Sequence, residues 1–142
     1  MANSSSGRCL CGAVQFTAED VETHHHACHC TMCRRWAGGP FFGAKAGLVE
    51  FQADKTLARY ASSSWAERGF CNNCGTVLFY FLKPTATYMM SVGAFDDQTP
   101  FRLVREIFVD RKPDGYSLVG DHPRLTEAEA FATMTPPEPP AS

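Results

Sequence analysis

Seven cysteines constrain this chain of 142 residues more than any other feature, because they fall in three tight groups: Cys9-Leu-Cys11, Cys28-His-Cys30-Thr-Met-Cys33 and Cys71-Asn-Asn-Cys74. Short-spaced thiols separated by ordinary globular sequence complete metal sites only if the fold brings them together. An odd count cannot pair off fully into disulfides. In a reducing compartment, cysteines at such spacing are metal-binding or catalytic more often than cross-linking. The first residues, Met1-Ala-Asn-Ser-Ser-Ser-Gly7, carry neither the basic start nor the apolar run of a secretory signal. A cytoplasmic protein is therefore expected.

Composition narrows the class further. The length suits one domain with a sizeable core. Hydrophobic residues make up 44% and charged residues 20%, which is ordinary for a globular chain. Eleven phenylalanines point to a core built partly from aromatic strands. No apolar run approaches the ~18 residues of a membrane-spanning helix. The formal net charge of -2 offers no electrostatic case for a nucleic-acid partner.

Residues 1–6 read as a flexible lead-in and residues 7–134 as a single domain. Residues 135–142, Thr-Pro-Pro-Glu-Pro-Pro-Ala-Ser, cannot propagate helix or sheet and read as a disordered tail. Between these ends, short strand-like runs alternate with Gly, Pro, Asn and Asp breaks. They include residues 9–17, 23–28, 40–44, 49–52, 56–61, 65–70, 76–82, 87–92, 103–109 and 116–119. The run Thr76-Val-Leu-Phe-Tyr-Phe-Leu82 is apolar on both faces, as a central strand would be. A short helix is expected from about Cys33. Another should start at Thr126, where Thr126 and Glu129 have capping-box spacing, and stop before Pro136. The class is mainly β, with one or two short helices.

The cysteine spacings carry the chemistry. Cys71-Asn-Asn-Cys74-Gly75 has the form of a zinc knuckle, in which a tight turn aims two thiolates at one ion and glycine relieves the backbone. In an extended strand Cys9 and Cys11 would face the same side and chelate together. Cys28, Cys30 and Cys33 can form a tripod that leaves one metal position open, the signature of catalytic rather than structural zinc. Spacing alone also permits a single zinc held by Cys28, Cys30, Cys71 and Cys74. Burial as small hydrophobes, or a redox pair at Cys71 and Cys74, would account for any one group but not for all three.

Arg8-Cys9-Leu-Cys11-Gly12, Cys28-His-Cys30-Thr-Met-Cys33-Arg34-Arg35 and Phe70-Cys71-Asn-Asn-Cys74-Gly75-Thr76 resemble the glutathione-dependent formaldehyde-activating (GFA) family, which includes centromere protein V. The resemblance covers residues 7–120. It implies a zinc-bound, β-tent-like fold of several short antiparallel sheets, with two zinc ions. Cys9, Cys11, Cys71 and Cys74 would hold a structural zinc, and Cys28, Cys30 and Cys33 a catalytic one. The implied activity is a carbon–sulfur lyase reaction run in the synthetic direction, joining glutathione and formaldehyde to S-(hydroxymethyl)glutathione. Many members carry a His-Ile pair before a late Phe-Val strand and a Trp after it. Here Glu106-Ile107 and Gly115-Tyr116 stand in those places.

Other residues near the triplet are weighed with it. Extended backbone would put His24, His26, Cys28 and Cys30 on one face, with His25 and His29 pointing away. Arg34 and Arg35 offer guanidinium groups to a substrate carboxylate. Trp36, Phe41 and Phe42 are expected in the core or along a cleft. The functional expectation is a zinc-dependent lyase acting on a small thiol adduct, with a small thiol such as glutathione as partner. The competing expectation is a non-catalytic zinc module or thiol carrier.

Overall fold

A computed structural model describes residues 4–134. The proline-rich end, read above as disordered, lies outside the described residues. Among the described residues, eleven strands gather into two sheets. The smaller is antiparallel and orders β1 (Ser4–Arg8), β2 (Gln15–Glu19) and β5 (Leu48–Ala53). One half of the larger sheet comprises β11 (Arg124–Leu125), β10 (Arg102–Ile107), β3 (His24–Cys28) and β4 (Phe41–Ala46). Its other half continues through β9 (Thr87–Ser91), β8 (Val77–Leu82), β7 (Ala66–Cys71) and β6 (Leu57–Ala61). Most pairs are antiparallel, but β10 runs parallel to both β3 and β11. The class is mainly β, as expected from the sequence. Among the described residues, no helix is long and apolar enough to cross a membrane.

Two departures trace to tertiary partners. Ser4–Ser6, expected to be part of a loose lead-in, belong to β1, which pairs along its length with β2. Serine is a weak strand former, but the ladder and the Ser6 Oγ–Asp96 bond at 2.8 Å satisfy its polar groups. Residues 116–119, expected as a strand, form none. The strand beside β10 is instead Arg124–Leu125, and Arg124 Nη2 reaches back to donate to the Leu118 carbonyl at 2.7 Å and the Gly120 carbonyl at 3.0 Å.

The apolar strand β8 is internal, between β7 and β9, and buries Leu78 and Phe79 completely. Phe79 meets Tyr88 edge-on at 5.0 Å and Phe51 at 5.8 Å. Gly69 makes this possible: a Cβ there would lie 2.2 Å from the Phe79 ring. Phe16 and Phe95 extend the core towards the smaller sheet, 5.5 Å apart and nearly perpendicular.

The second helix starts where its capping box suggests, whereas the first begins at Thr31, two residues before the expected Cys33, because Cys30 caps it. In α1 (Thr31–Ala37), Cys30 is the N-cap, its sulfur accepting from the Cys33 N–H, and the helix ends at left-handed Gly38. In α2 (Glu127–Met134), the Thr126 N–H donates to Glu129 Oε1 at 2.9 Å while the Glu129 N–H donates to Thr126 Oγ1 at 3.2 Å. That is the reciprocal capping box. The consequence for function lies at strand ends. Cys9 follows β1, Cys71 closes β7, and Cys28 closes β3 immediately before α1.

Candidate metal centre and substrate cavity

Two cysteine turns face each other. Cys9 N–H donates to the Val14 carbonyl at 3.0 Å and Gly12 N–H to the Cys9 carbonyl at 3.1 Å. The second turn repeats the pattern, with Cys71 N–H on Thr76 O at 3.0 Å and Gly75 N–H on Cys71 O at 2.8 Å. Each turn closes through a left-handed glycine, Gly12 at φ 80° and Gly75 at φ 81°. The first pair therefore projects from a turn beyond β1, rather than from the extended strand that the sequence suggested. Leu10 N–H donates to Thr76 Oγ1 at 2.9 Å and ties one turn to the other.

The sulfurs of Cys9, Cys11, Cys71 and Cys74 all lie within 4.8 Å of one another. Cys9 Sγ is 3.6 Å from Cys11 Sγ, which is 3.9 Å from Cys71 Sγ. A tetrahedron with metal–sulfur bonds of ~2.3 Å has edges of about 3.8 Å, so the quartet fits a four-coordinate ion. A disulfide would require about 2.05 Å. Donors surround these sulfurs: Val14 N–H on Cys9 at 3.3 Å, Asn73 Nδ2 on Cys11 at 3.2 Å, and Thr56 Oγ1 beside Cys71 at 3.2 Å. The Thr76 side chain and backbone hold the Cys74 thiol down at about 5. The Thr56 hydroxyl, with backbone N–H groups, lowers that of Cys71. Burial raises the Cys9 thiol.

Cys28, Cys30 and Cys33 form a second group, their sulfurs again within 4.8 Å of one another. Among the described residues no fourth His, Cys, Asp or Glu completes this set, whereas the first is complete. The two groups are separate, so the alternative quartet of Cys28, Cys30, Cys71 and Cys74 is not assembled. Either group can hold a metal ion. Within the triplet, Cys28 and Cys33 bonds and the Cys33 N–H lower the Cys30 thiol, while bonding to Cys30 and Cys33 raises that of Cys28. Arg68, 5% exposed, points Nη1 at Cys33 Sγ across 3.6 Å. Its guanidinium lies between the rings of Trp36 at 4.9 Å and Tyr80 at 4.8 Å.

A cavity of 430 Å³ opens on this triplet, with Cys28, Cys30 and Cys33 in its wall. His26 lines it too, consistent with the alternation that sets His26 and Cys28 on one face of β3 and buries His25 and Ala27 on the other. Burial, and then the charge of Arg105, lowers the His26 pKa. Phe41 forms part of the wall, whereas Phe42 instead packs against His25. Neither Arg34 nor Arg35 lines the cavity. Arg34 Nε donates to the His29 carbonyl at 2.9 Å and its Nη2 approaches Thr31 Oγ1 at 3.5 Å, so this side chain braces the turn that carries the cysteine triplet.

His29, between Cys28 and Cys30 in sequence, is fully buried and turned to a separate set of partners. Its Nε2 is paired with Glu106 Oε1 at 2.7 Å and its Nδ1 with the Tyr116 hydroxyl at 2.8 Å. Glu106 is 1% exposed and also receives His122 Nε2 at 2.5 Å and Arg124 Nε at 3.1 Å. Burial opposes its ionisation, but the His122 and His29 bonds and the Arg124 charge outweigh that and hold its carboxyl below the ordinary range. Glu106 and Tyr116 thus form one network behind the ligand loop. In sequence they stood out only as departures from the family pattern. Arg68 carried no such mark beyond being a cation inside a strand that leads to Cys71.

Comparison with known proteins agrees with this geometry. The model of the family described as glutathione-dependent formaldehyde-activating enzyme matches residues 4–111. An uncharacterized lyase of Schizosaccharomyces pombe is 31% identical over 133 residues, spanning 90% of this chain and 95% of the relative. A Halomonas elongata protein named "Putative glutathione-dependent formaldehyde-activating enzyme" is 33% identical over 85 residues, 53% of this chain and 54% of its own. The cysteine turns, the separate triplet and the matched span together place this chain in the glutathione-dependent formaldehyde-activating enzyme family.

Proposed function

We propose that this protein is a zinc-dependent carbon–sulfur lyase acting on a small thiol adduct, with S-(hydroxymethyl)glutathione as the reference case that the family name supplies. The observation that carries this reading is the contrast between two thiol groups. One is a closed quartet of Cys9, Cys11, Cys71 and Cys74; the other is a triplet, short of a ligand, in a cavity wall. The quartet would hold a structural zinc. Zinc on Cys28, Cys30 and Cys33 would supply a Lewis acid that stabilises a substrate sulfur as thiolate.

In the cleavage direction the carbon–sulfur bond of an S-hydroxymethyl adduct breaks. The sulfur leaves with the electron pair and takes up a proton. The hydroxyl gives up its proton and becomes the carbonyl of formaldehyde. The synthetic direction reverses each change. The chain's own contribution is placement. Arg68 offsets negative charge at Cys33, the cavity limits water, and the His29–Glu106 network fixes the loop between ligands. Arg34 and Arg35, outside the cavity wall, add positive charge beside the thiolate site.

Metal analysis of protein purified without chelator is expected to give about two zinc ions per chain, one for each ligand set. Cys30→Ser should lose one ion and all lyase turnover yet stay folded, because serine preserves the N-cap of α1. Cys71→Ser should unfold, since structural zinc contributes folding energy. Unfolding by Cys30→Ser but not by Cys71→Ser would reverse the assignment. Thiol binding without turnover of any adduct would identify a carrier instead of an enzyme.

A further inference from the structure

The walls of the cavity at the cysteine triplet carry information about the substrate that the thiols do not. Beyond the sulfurs, its surface is mostly apolar, with Phe41, Leu82, Met89, Ile107 and Phe108, and carries the polar side chains of His26, Thr31 and Tyr80. At its mouth stand Met32, Trp65 and Phe131, which are 47%, 43% and 52% exposed. Phe108 is held at φ 59° and ψ 40°, left-handed backbone that a bulky side chain rarely adopts. Its ring meets Phe131 edge-on at 5.6 Å. An aromatic ring kept in a wall at the cost of backbone strain is a feature of a built site.

The charged groups of this wall are engaged within the protein. Arg111 places Nε and Nη2 on Glu127 Oε1, at 3.0 and 2.7 Å. Arg68 has aromatic rings over its guanidinium, donates Nε to Ser62 Oγ at 3.1 Å and directs Nη1 to Cys33. Glutathione brings two carboxylates and an ammonium. Taking such groups out of water without matched partners is strongly unfavourable, and Arg34 and Arg35 do not line the wall. A thiol with a hydrocarbon body meets the opposite situation. Its sulfur can reach the triplet while its body covers apolar surface that otherwise faces water.

We infer that the cavity selects the adduct of an apolar, uncharged thiol with an aromatic or branched alkyl body, in preference to that of glutathione. This rests on the thiol-adduct reading and specifies its substrate class. The volume of 430 Å³ lies within the range of small-molecule sites and exceeds what a hydroxymethyl group and sulfur alone would fill.

The test uses the full chain loaded with zinc, and a parallel sample with cobalt at the triplet, whose visible spectrum reports coordination by an added thiol. The probes are 2-phenylethanethiol and glutathione, titrated by calorimetry and by tryptophan emission, which Trp65 in the cavity wall should sense. At least tenfold tighter binding of 2-phenylethanethiol is expected, together with the same order of preference among hydroxymethyl adducts in turnover. Met32→Lys puts a cation at the exposed rim without disturbing the core, and should narrow the ratio by roughly fivefold. Glutathione binding equally or more tightly, through the outer edge of Arg68 or otherwise, overturns the inference and leaves the lyase reading standing. Failure of both thiols to change the cobalt spectrum or the emission overturns the two together.

Discussion

Glu106→Ala removes the acceptor that three donors share. His29 is fully buried, Glu106 is 1% exposed, and the His122 side chain is 8% exposed, so water cannot readily replace the lost carboxylate. Bonds to a buried charged acceptor contribute about 1.5–3 kcal/mol each. Arg124, with its side chain 40% exposed, adds little because solvent screens it. The two histidine bonds are not additive, and removing one member of a buried ionic network costs about 3–5 kcal/mol. Urea unfolding at matched zinc saturation should therefore show a loss of about 4 kcal/mol, or a midpoint lower by about 2 M for a slope near 2 kcal/mol/M. Glu106→Gln keeps the shape and one acceptor, and should lose about half as much. The pH dependence has a definite sign. The folded carboxyl lies below its ordinary value, so its contribution is full above the usual glutamate range and fades as pH falls through the folded value. The gap between wild type and Glu106→Gln should shrink in the same interval. A loss below ~1 kcal/mol for Glu106→Ala, or a gap unchanged down to acid, would refute the network's role.

Three further outcomes follow from local geometry. Gly69→Ala should destabilise by about 1–3 kcal/mol, because its Cβ would overlap the Phe79 ring and force the aromatic core to shift; thermal unfolding measures it. Thr126→Ala should cost about 1 kcal/mol by deleting half of the capping box, seen as faster hydrogen exchange in α2 than in β8. Thr76→Val removes the hydroxyl that keeps the Cys74 thiol near 5 and should raise it, so protons displace metal from the quartet at a higher pH in a chromophoric-chelator assay.

Much of the fold was legible locally. The doubly apolar run of β8 announced an internal strand, and the Thr126–Glu129 spacing announced a helix start, because both signals depend on neighbours within a few residues. What failed depended on partners far along the chain. Ser4–Ser6 carry no strand signal of their own and are ordered by β2. Residues 116–119 have suitable side chains, but the edge of β10 is occupied by Arg124–Leu125. At the site, alternation along β3 correctly put His26 with Cys28 and sent His25 to the core. Arg34 and Arg35 were natural choices for a carboxylate clamp from adjacency alone, yet helix geometry carries both out of the cavity wall.

The sequence by itself determined that thiols would dominate the chemistry, since ligand type and short-range chelation are set by residue identity and spacing. It also determined the left-handed glycine turn at Gly75, whereas the matching turn at Gly12 falls in a run expected as strand. Spacing left the grouping open and the family resemblance only implied it; the tertiary structure decided that Cys9 and Cys11 close on Cys71 and Cys74, across some 60 residues, and leave the triplet apart. It alone placed Arg68 beside Cys33, Glu106 behind His29 and an apolar wall around the open thiols. Those relations join strands remote in the chain, and their energies exist only once the sheet has brought the strand ends together.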